Sequence, residues 1–296
     1  MVYASLGNRP DPLGKALHIV IIGSQRSGTN LLREVLNTNP GIGLLGEVLL
    51  PQPVPTCWHH FVRNFATGPV PPGTEGEAIA LMDDYLYFLE YEIGGSSWSN
   101  PDGRRKTAIG FDVKYNQLRF IAPIARDLRQ PPFLLDYFRL RNFRILHMVR
   151  KNVVQLAISA IIANDRQLWH NWRGEVVAGQ HTVNTDELLS FARWAVEERA
   201  AFRQVSCGLD IFECEYEDLV DELQSADTAG HFPGDSSLLR EMATFIGVPP
   251  DFNRPTRLAK AINRPYSEIL SNHNEVLEAL KVSEFAAFAN DLLPRG

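Results

Sequence analysis

The chain has 296 residues, of which 45% are hydrophobic, and its formal net charge at pH 7 is −6. This length permits one large α/β domain or two small ones, and the apolar content is enough to bury a substantial core. The acidic balance argues against non-specific binding to nucleic acid, but a small anionic ligand needs only local positive charge.

The N-terminal part of the chain predicts an arm followed by a strand, a helix and a second strand. We expect the first 17 residues to form a loose arm and residues 18–296 to form a single domain. Residues 18–23 are a short apolar run rich in β-branched side chains, which is typical of a buried parallel strand. Residues 28–38 predict a helix that ends at the turn residues Asn39, Pro40 and Gly41, and residues 42–45 predict the second strand.

A glycine-flanked loop joins the first predicted strand to the first predicted helix. Gly23 and Gly28 give the spacing Gly-x-x-x-x-Gly, typical of a loop that binds phosphate through backbone N–H groups and a helix N-terminus. Thr29 and Asn30 follow Gly28 in place of the usual Lys-Ser/Thr pair, and the cation of the loop is Arg26. We therefore expect this loop to hold a phosphate-like group without the lysine of nucleotide kinases.

The rest of the chain alternates between helical and strand-like stretches. Six prolines between residues 51 and 72 predict a loop-rich region around an apolar stretch with Trp58, Phe61 and Phe65. Further strands are predicted over residues 108–113, 143–149 and 209–212. Further helices are predicted over residues 77–92, 116–129, 132–139, 152–168, 185–205, 235–246 and 272–290. This alternation predicts an α/β fold with a P-loop-like, doubly wound parallel sheet and helices on both faces.

A second anion-binding feature follows the strand predicted over residues 143–149. That strand ends in Arg150 and Lys151, Asn152 is a good N-cap for the next helix, and Ser159 lies nine residues after Arg150. Ligands of open parallel sheets bind at the carboxyl ends of the strands. Two anion-binding features at such ends predict a ligand with two separate anionic groups.

These motifs together resemble those of sulfotransferases that use 3′-phosphoadenosine 5′-phosphosulfate (PAPS), most closely the bacterial carbohydrate sulfotransferases of the trehalose type. The stretch from Ser24 to Leu32 resembles their 5′-phosphosulfate loop. The strand, the arginine and the serine nine residues later resemble their 3′-phosphate motif, and this implies that Arg150 and Ser159 bind that phosphate. For the phosphosulfate loop the resemblance implies the ligands Ser24, Gln25, Arg26, Ser27, Gly28, Thr29 and Asn30.

The same resemblance implies catalytic residues on the acceptor side. Glu47 is expected to activate the acceptor hydroxyl as a general base, Arg26 to stabilise the leaving phosphate, and Lys114 to contact the sulfuryl group or the acceptor. Asp112 is a candidate for binding a sugar hydroxyl. A structural or acceptor-binding role for Glu47 stays open, because the proline and the later glutamate of the family motif are missing. His59 and His60 are the alternative bases.

We therefore expect in-line transfer of a sulfuryl group from PAPS to a hydroxyl of a carbohydrate, glycolipid or glycosylated metabolite, without a metal. Two alternatives remain. An ATP-dependent phosphotransferase would need a lysine next to Gly28, and a nucleotide-binding module would bind its ligand without turnover. The expected partner is a small-molecule or glycolipid acceptor, with no nucleic acid and with a possible second copy of the chain as a homodimer. Residues 254–270 resemble the C-terminal lid of the family.

The remaining sequence features concern the compartment. Cys57, Cys207 and Cys214 have no paired spacing, which argues against a disulfide framework and against a zinc site. The polar N-terminus lacks the apolar core of a signal peptide, and no apolar run approaches the ~18 residues of a transmembrane helix. These features predict a cytoplasmic protein with reduced thiols and no transmembrane segment.

Overall fold

A computed structural model of the chain describes residues 16–50, 54–66, 68, 72–93, 99, 105–119, 132–166, 179–225, 237–253 and 264–293. Several predicted features lie partly or wholly outside these residues. They are most of the N-terminal arm, residues 120–129 of a predicted helix, and residues 254–263 of the expected lid.

A five-stranded sheet forms the centre of the protein. Its strands are β1 (Leu17–Gly23), β2 (Ile42–Glu47), β3 (Ala108–Lys114), β4 (Arg144–Val149) and β5 (Ile211–Glu215). They lie in the order β2-β3-β1-β4-β5, and every neighbouring pair is parallel. Because the chain leaves β1 towards β2 on one side and leaves β4 towards β5 on the other, the crevice between the ends of β1 and β4 is a topological switch point.

Ten α-helices are defined within the described residues. They are α1 (Thr29–Asn37), α2 (Trp58–Asn64), α3 (Glu75–Tyr87), α4 (Phe133–Leu140), α5 (Val153–Arg166), α6 (Thr185–Val205), α7 (Tyr216–Gln224), α8 (Ser237–Ile246), α9 (Tyr266–Ile269) and α10 (His273–Lys281). A π-helical segment, Phe88–Ile93, continues α3, and short 3-10 helices cover Tyr115–Gln117 and Ala286–Leu292.

Side chains of β1 alternate between two apolar cores, one on each face of the sheet. Val20 and Ile22 pack in a core with residues of α2, α3 and α4. Ile19 and Ile21 point to the opposite face and pack with residues of α1, α7 and α8. This alternation follows from the two-residue period of a strand. The predicted fold class is therefore confirmed: the protein is α/β, with a doubly wound parallel sheet between two layers of helices.

Several predicted boundaries are wrong for local reasons. The loop-rich region contains α2, and the helix predicted from residue 116 is replaced at its start by the 3-10 turn Tyr115–Gln117. The fifth strand begins later than predicted, because Leu209 N donates to Ser206 O in a turn. The helix predicted over 272–290 ends at Lys281, where the Ser283 hydroxyl donates to Leu280 O and closes the last turn.

Candidate functional site

The loop between β1 and α1 has a backbone that larger residues would not allow. A Cβ atom at Gly23 would lie 2.7 Å from the carbonyl oxygen of Met148, so the loop starts in close contact with β4. Gly28 has φ of 102°, in the left-handed region that favours glycine. The Ser27 hydroxyl donates to Ser24 O across 2.8 Å and closes the loop from inside. The chain is therefore held in the tight turn that an anion cradle needs.

The helix that follows this loop presents its N-terminus to the crevice. Its N-cap is Gly28, which offers no side chain to its N–H groups, and the first turn carries no acidic residue. The first N–H groups of an α-helix have no partner within the helix, and the helix dipole adds partial positive charge there. An uncapped helix end without a carboxylate is suited to an anionic ligand.

The structure brings Arg26, Arg150 and Ser159 together, as the two sequence motifs predict. Arg26 Nε donates to Ser159 Oγ across 3.0 Å, and Arg150 Nη1 lies 3.4 Å from the carbonyl oxygen of Arg26. The Arg150 guanidinium lies over the Tyr216 ring, 4.8 Å from its centroid, and Nη2 donates to Gln155 Oε1 at 3.2 Å. The loop after β1 and the end of β4 therefore form one polar site.

The charges of this site favour the binding of an anion. Arg150 is buried, and its Nε has no hydrogen-bond partner in the structure. None of the described carboxylates forms an ion pair with Arg150. Burial, followed by repulsion from Arg150, lowers the pKa of the Arg26 guanidinium. An anionic ligand would satisfy the Nε group and relieve this repulsion, since a buried cation is costly without a counter-charge.

A second polar cluster lies one strand away, at the end of β3. Lys114 Nζ donates to Thr29 Oγ1 across 2.5 Å and forms ion pairs with Asp112 Oδ2 and Glu47 Oε1, each at 3.4 Å. The Arg33 guanidinium completes the cluster at 3.1 Å from Asp112 Oδ2. Two cations and two carboxylates therefore balance one another next to the start of α1.

Two side chains fix the carboxylate of Glu47. Lys114 holds Oε1, and Gln117 Nε2 lies 3.4 Å from Oε2 while its own Oε1 accepts from the Lys114 backbone N–H. The Glu47 side chain keeps 11% of its surface exposed, so a hydroxyl group can reach it. Asp112 differs from Glu47 in this respect. Asp112 has no exposed surface and its Oδ2 already contacts Arg33 and Lys114, and its assignment to a sugar hydroxyl stays a prediction.

The other predicted loop residues divide by the direction of their side chains. Ser24, Ser27 and Thr29 are buried, and Gln25 is half-buried. Asn30 turns towards the protein, where its Oδ1 accepts from Arg33 Nη1 at 2.9 Å. The side chains of Ser27, Thr29 and Asn30 therefore hydrogen-bond to other groups of the protein.

The alternative bases lie on α2. His59 is exposed, and the His60 Nδ1 atom lies 3.3 Å from Asn64 Nδ2 on the helix surface. Among the described residues, neither histidine hydrogen-bonds to the Gly23–Gly28 loop. Trp58 is buried in edge contact with the Tyr85 ring, so it is a core residue. The geometry consequently favours Glu47 over the histidines as the group beside the loop.

Sequence reasoning missed the two tyrosines that surround Arg150. Tyr216, the first residue after β5, lies under the guanidinium, and the charge of Arg150 acts on the Tyr266 hydroxyl. Burial raises the pKa of Tyr266 to about 12, so this hydroxyl stays protonated at neutral pH. The position of Tyr216 directly after a strand is the signal by which the sequence could have identified it.

The described part of the chain holds neither a candidate metal site nor a candidate membrane helix. Its residues contain no group of three or more His, Cys, Asp or Glu side chains able to hold a metal ion. Within the same residues, no helix is both long enough and apolar enough to span a membrane. Cys57 and Cys214 are buried free thiols, and Cys207 is an exposed one.

Two solved structures show a distant likeness to this chain. No family model matches the chain, and no curated protein matches it. A crystal structure of mouse sulfotransferase SULT7A1 complexed with PAP is similar at 12% identity, over 95% of this chain and 93% of that chain, with a TM-score of 0.39. The sulfotransferase domain of the Synechococcus PCC 7002 olefin synthase is similar at 15% identity, over 97% and 100%, with a TM-score of 0.39. At this level of similarity, a functional assignment has to rest on the residues of the site.

Proposed function

We propose that the protein is a PAPS-dependent sulfotransferase. One observation carries this proposal: two anion-binding features lie in contact at the ends of adjacent strands. The Arg26–Ser159 hydrogen bond and the approach of Arg150 to the Arg26 carbonyl link the loop after β1 to the residues after β4. A ligand with one anionic group in the loop and a second near Arg150 matches a nucleotide that is phosphorylated on both its 3′ and 5′ sides. The uncapped start of α1 and the unpartnered Arg150 Nε support this assignment.

The residues divide between the two ends of the donor. The backbone of the Gly23–Gly28 loop and the start of α1 would hold the 5′-phosphosulfate, with Arg26 stabilising the leaving phosphate oxygen. Arg150 and Ser159 would hold the 3′-phosphate, with Tyr216 as the platform under the guanidinium. Charge-assisted hydrogen bonds of this kind are short and strong, and arginine offers a fork that matches phosphate oxygens.

Glu47 and Lys114 would serve the acceptor side. In the reaction, the acceptor oxygen forms a bond to sulfur while the bond from sulfur to the bridging phosphosulfate oxygen breaks. The acceptor proton passes to the Glu47 carboxylate, and 3′-phosphoadenosine 5′-phosphate (PAP) leaves. The Lys114 ammonium, 3.4 Å from Glu47 Oε1, orients that carboxylate and can contact the sulfuryl oxygens.

The proposed acceptor is a hydroxyl of a carbohydrate, a glycolipid or a glycosylated metabolite, and the proposed compartment is the cytoplasm. The sequence resemblance supports the acceptor class, and the partly exposed Glu47 beside the loop supports a hydroxyl acceptor in general.

A nucleotide-binding module without turnover is the second candidate. It is favoured by the ion pair between Glu47 and Lys114, because in this arrangement the proposed base is already bound by a cation and by Gln117.

Transfer of radiolabel from [³⁵S]PAPS to a panel of mono- and disaccharides separates these candidates. An enzyme should label at least one acceptor, and Glu47→Gln should lower the labelling rate by about 10²–10⁴ while PAP affinity stays unchanged. Tight PAP binding with no labelled product from any acceptor would favour the module. A nearly normal labelling rate in Glu47→Gln would remove Glu47 from the role of base.

A further inference from the structure

The ammonium of Lys114 contacts both halves of the proposed site. Its Nζ donates across 2.5 Å to the hydroxyl of Thr29, which is the first residue of α1. It also forms an ion pair at 3.4 Å with Oε1 of Glu47, the proposed base. Because Thr29 lies at the uncapped end of α1, where the phosphosulfate would bind, one cation joins the donor loop to the acceptor side.

Three acceptor oxygens match the three N–H groups of this ammonium. The Asp112 Oδ2 atom lies 3.4 Å from Lys114 Nζ, in addition to the oxygens of Thr29 and Glu47. A lysine ammonium has three N–H donors and accepts no hydrogen bond. A sulfuryl oxygen can therefore bind Lys114 only in place of one of these three oxygens.

Glu47 is the partner of Lys114 that can leave most easily. Asp112 has no exposed surface, and its Oδ2 also accepts from Arg33 Nη1 across 3.1 Å. Thr29 is buried, and its short β-branched side chain is stiff. The Glu47 side chain is longer and keeps 11% of its surface exposed. Of the three oxygens, the one from Glu47 therefore has the most freedom to move.

An arriving sulfuryl group would also repel Glu47 from the ammonium. The ion-pair cluster at the end of β3 carries two positive and two negative charges, so it is balanced before the donor binds. The sulfuryl oxygens add negative charge beside the Glu47 carboxylate, and like charges repel strongly in a buried environment. Gln117 Nε2 lies 3.4 Å from Glu47 Oε2, so this amide can hold the carboxylate at the site after Lys114 releases it.

We infer that donor binding releases the proposed base, because Lys114 exchanges its ion pair with Glu47 for a sulfuryl oxygen. The inference rests on the proposed function and adds a regulation of the same site. In the free protein, Lys114 pairs with the Glu47 carboxylate. In the donor complex, Gln117 holds this carboxylate, which is then free to accept the proton of an acceptor hydroxyl. The donor therefore has to bind before the acceptor can react.

A comparison of PAPS with PAP tests this exchange without an acceptor. PAP has no sulfuryl group, so it does not compete with Glu47 for Lys114. In calorimetric titrations, Glu47→Gln should tighten PAPS binding by about threefold or more, the scale of one ion pair, and should leave PAP affinity unchanged. The matched control is Glu34→Gln on α1, which removes a carboxylate 3.5 Å from Arg33. It should keep the wild-type ratio of PAPS affinity to PAP affinity.

A double variant shows whether the tighter binding depends on Lys114. Addition of Lys114→Met to Glu47→Gln removes both charges of the ion pair together, and PAPS should lose the affinity gained in the single variant. A PAP titration of each variant, run first, shows whether its donor site is intact.

Three results would overturn the exchange and leave the proposed function in place. They are an unchanged ratio of PAPS to PAP affinity in Glu47→Gln, an equal rise of this ratio in Glu34→Gln, and a rise that persists in the double variant. Absence of PAP binding in the wild type would instead remove the proposed function, and the exchange would fall with it.

Discussion

Replacement of Gly28 by alanine should damage both the fold and the donor site. Gly28 has φ of 102°, and a Cβ atom there would lie 2.4 Å from Cδ2 of Tyr216. Tyr216 cannot move freely, since its ring lies under the Arg150 guanidinium at 4.8 Å. A single methyl group at the loop would therefore displace the platform on which the proposed 3′-phosphate ligand rests.

The expected loss of stability has two parts that a second glycine separates. A left-handed backbone costs an alanine about 1–2 kcal/mol, and overpacking a close contact costs about 1–3 kcal/mol. Gly28→Ala should incur both costs, so its free energy of unfolding should fall by a total of about 2–5 kcal/mol. Gly208 also has a positive φ, 81°, but a Cβ there would meet no atom within 4 Å. Gly208→Ala should therefore incur only the cost of the left-handed backbone.

Urea denaturation gives the two free energies of unfolding, and calorimetry gives PAP affinity. Gly28→Ala should be less stable than Gly208→Ala by about 1–3 kcal/mol, which is the overpacking part alone. Its PAP affinity should fall at least tenfold, whereas Gly208→Ala should bind as the wild type does. Equal stability of the two variants would refute the steric contact. Unchanged PAP affinity in a destabilised Gly28→Ala would refute the role of Tyr216 beneath Arg150.

Three further substitutions test the charges. Burial lowers the pKa of His147 to about 4. The folded state therefore binds fewer protons than the unfolded state between that value and the ordinary pKa of about 6.5. The free energy of unfolding should therefore fall by up to about 1.4 kcal/mol for each pH unit as the pH drops from about 6.5 towards 4. In urea titrations at each pH, His147→Phe should flatten this slope, and an unchanged slope would contradict the assignment. Glu47→Gln should lower kcat by about 10²–10⁴ with little change in PAP affinity, and a nearly normal kcat would exclude a general base there. Asp112→Asn should cost about 3–5 kcal/mol of unfolding free energy, because it leaves Arg33 and Lys114 buried without that carboxylate. A loss below about 1 kcal/mol in thermal unfolding would show that the cluster does not need Asp112.

Local sequence patterns were sufficient to predict the sheet and the placement of the loop. Short β-branched runs such as residues 19–22 alternate with helical stretches, and parallel strands buried on both faces require continuous apolar sequence. The glycine spacing and Arg150 each lie directly after a strand. Because all carboxyl ends of a parallel sheet lie at one edge, the fold class places Arg26 and Arg150 at the same edge. Their proximity also requires the strand order, which puts β1 next to β4.

The remaining features of the site depend on contacts between distant parts of the chain. The ion pair between Lys114 and Glu47 joins residues on adjacent strands that are far apart in sequence. The burial of Asp112 depends on Arg33, which reaches it from α1. Sequence patterns assign residues to elements, but tertiary packing decides which side chains meet.

Binding of PAP to the wild type and to Arg150→Ala, compared with ATP by calorimetric titration, is the measurement to make first. If the loop and Arg150 form one site for a nucleotide with 3′- and 5′-phosphates, the wild type should bind PAP with a micromolar Kd and should not bind ATP measurably. Arg150→Ala should lose PAP binding. Equal binding of PAP and ATP, or binding of neither, would contradict the sulfotransferase proposal and favour a phosphotransferase or a nucleotide-binding module.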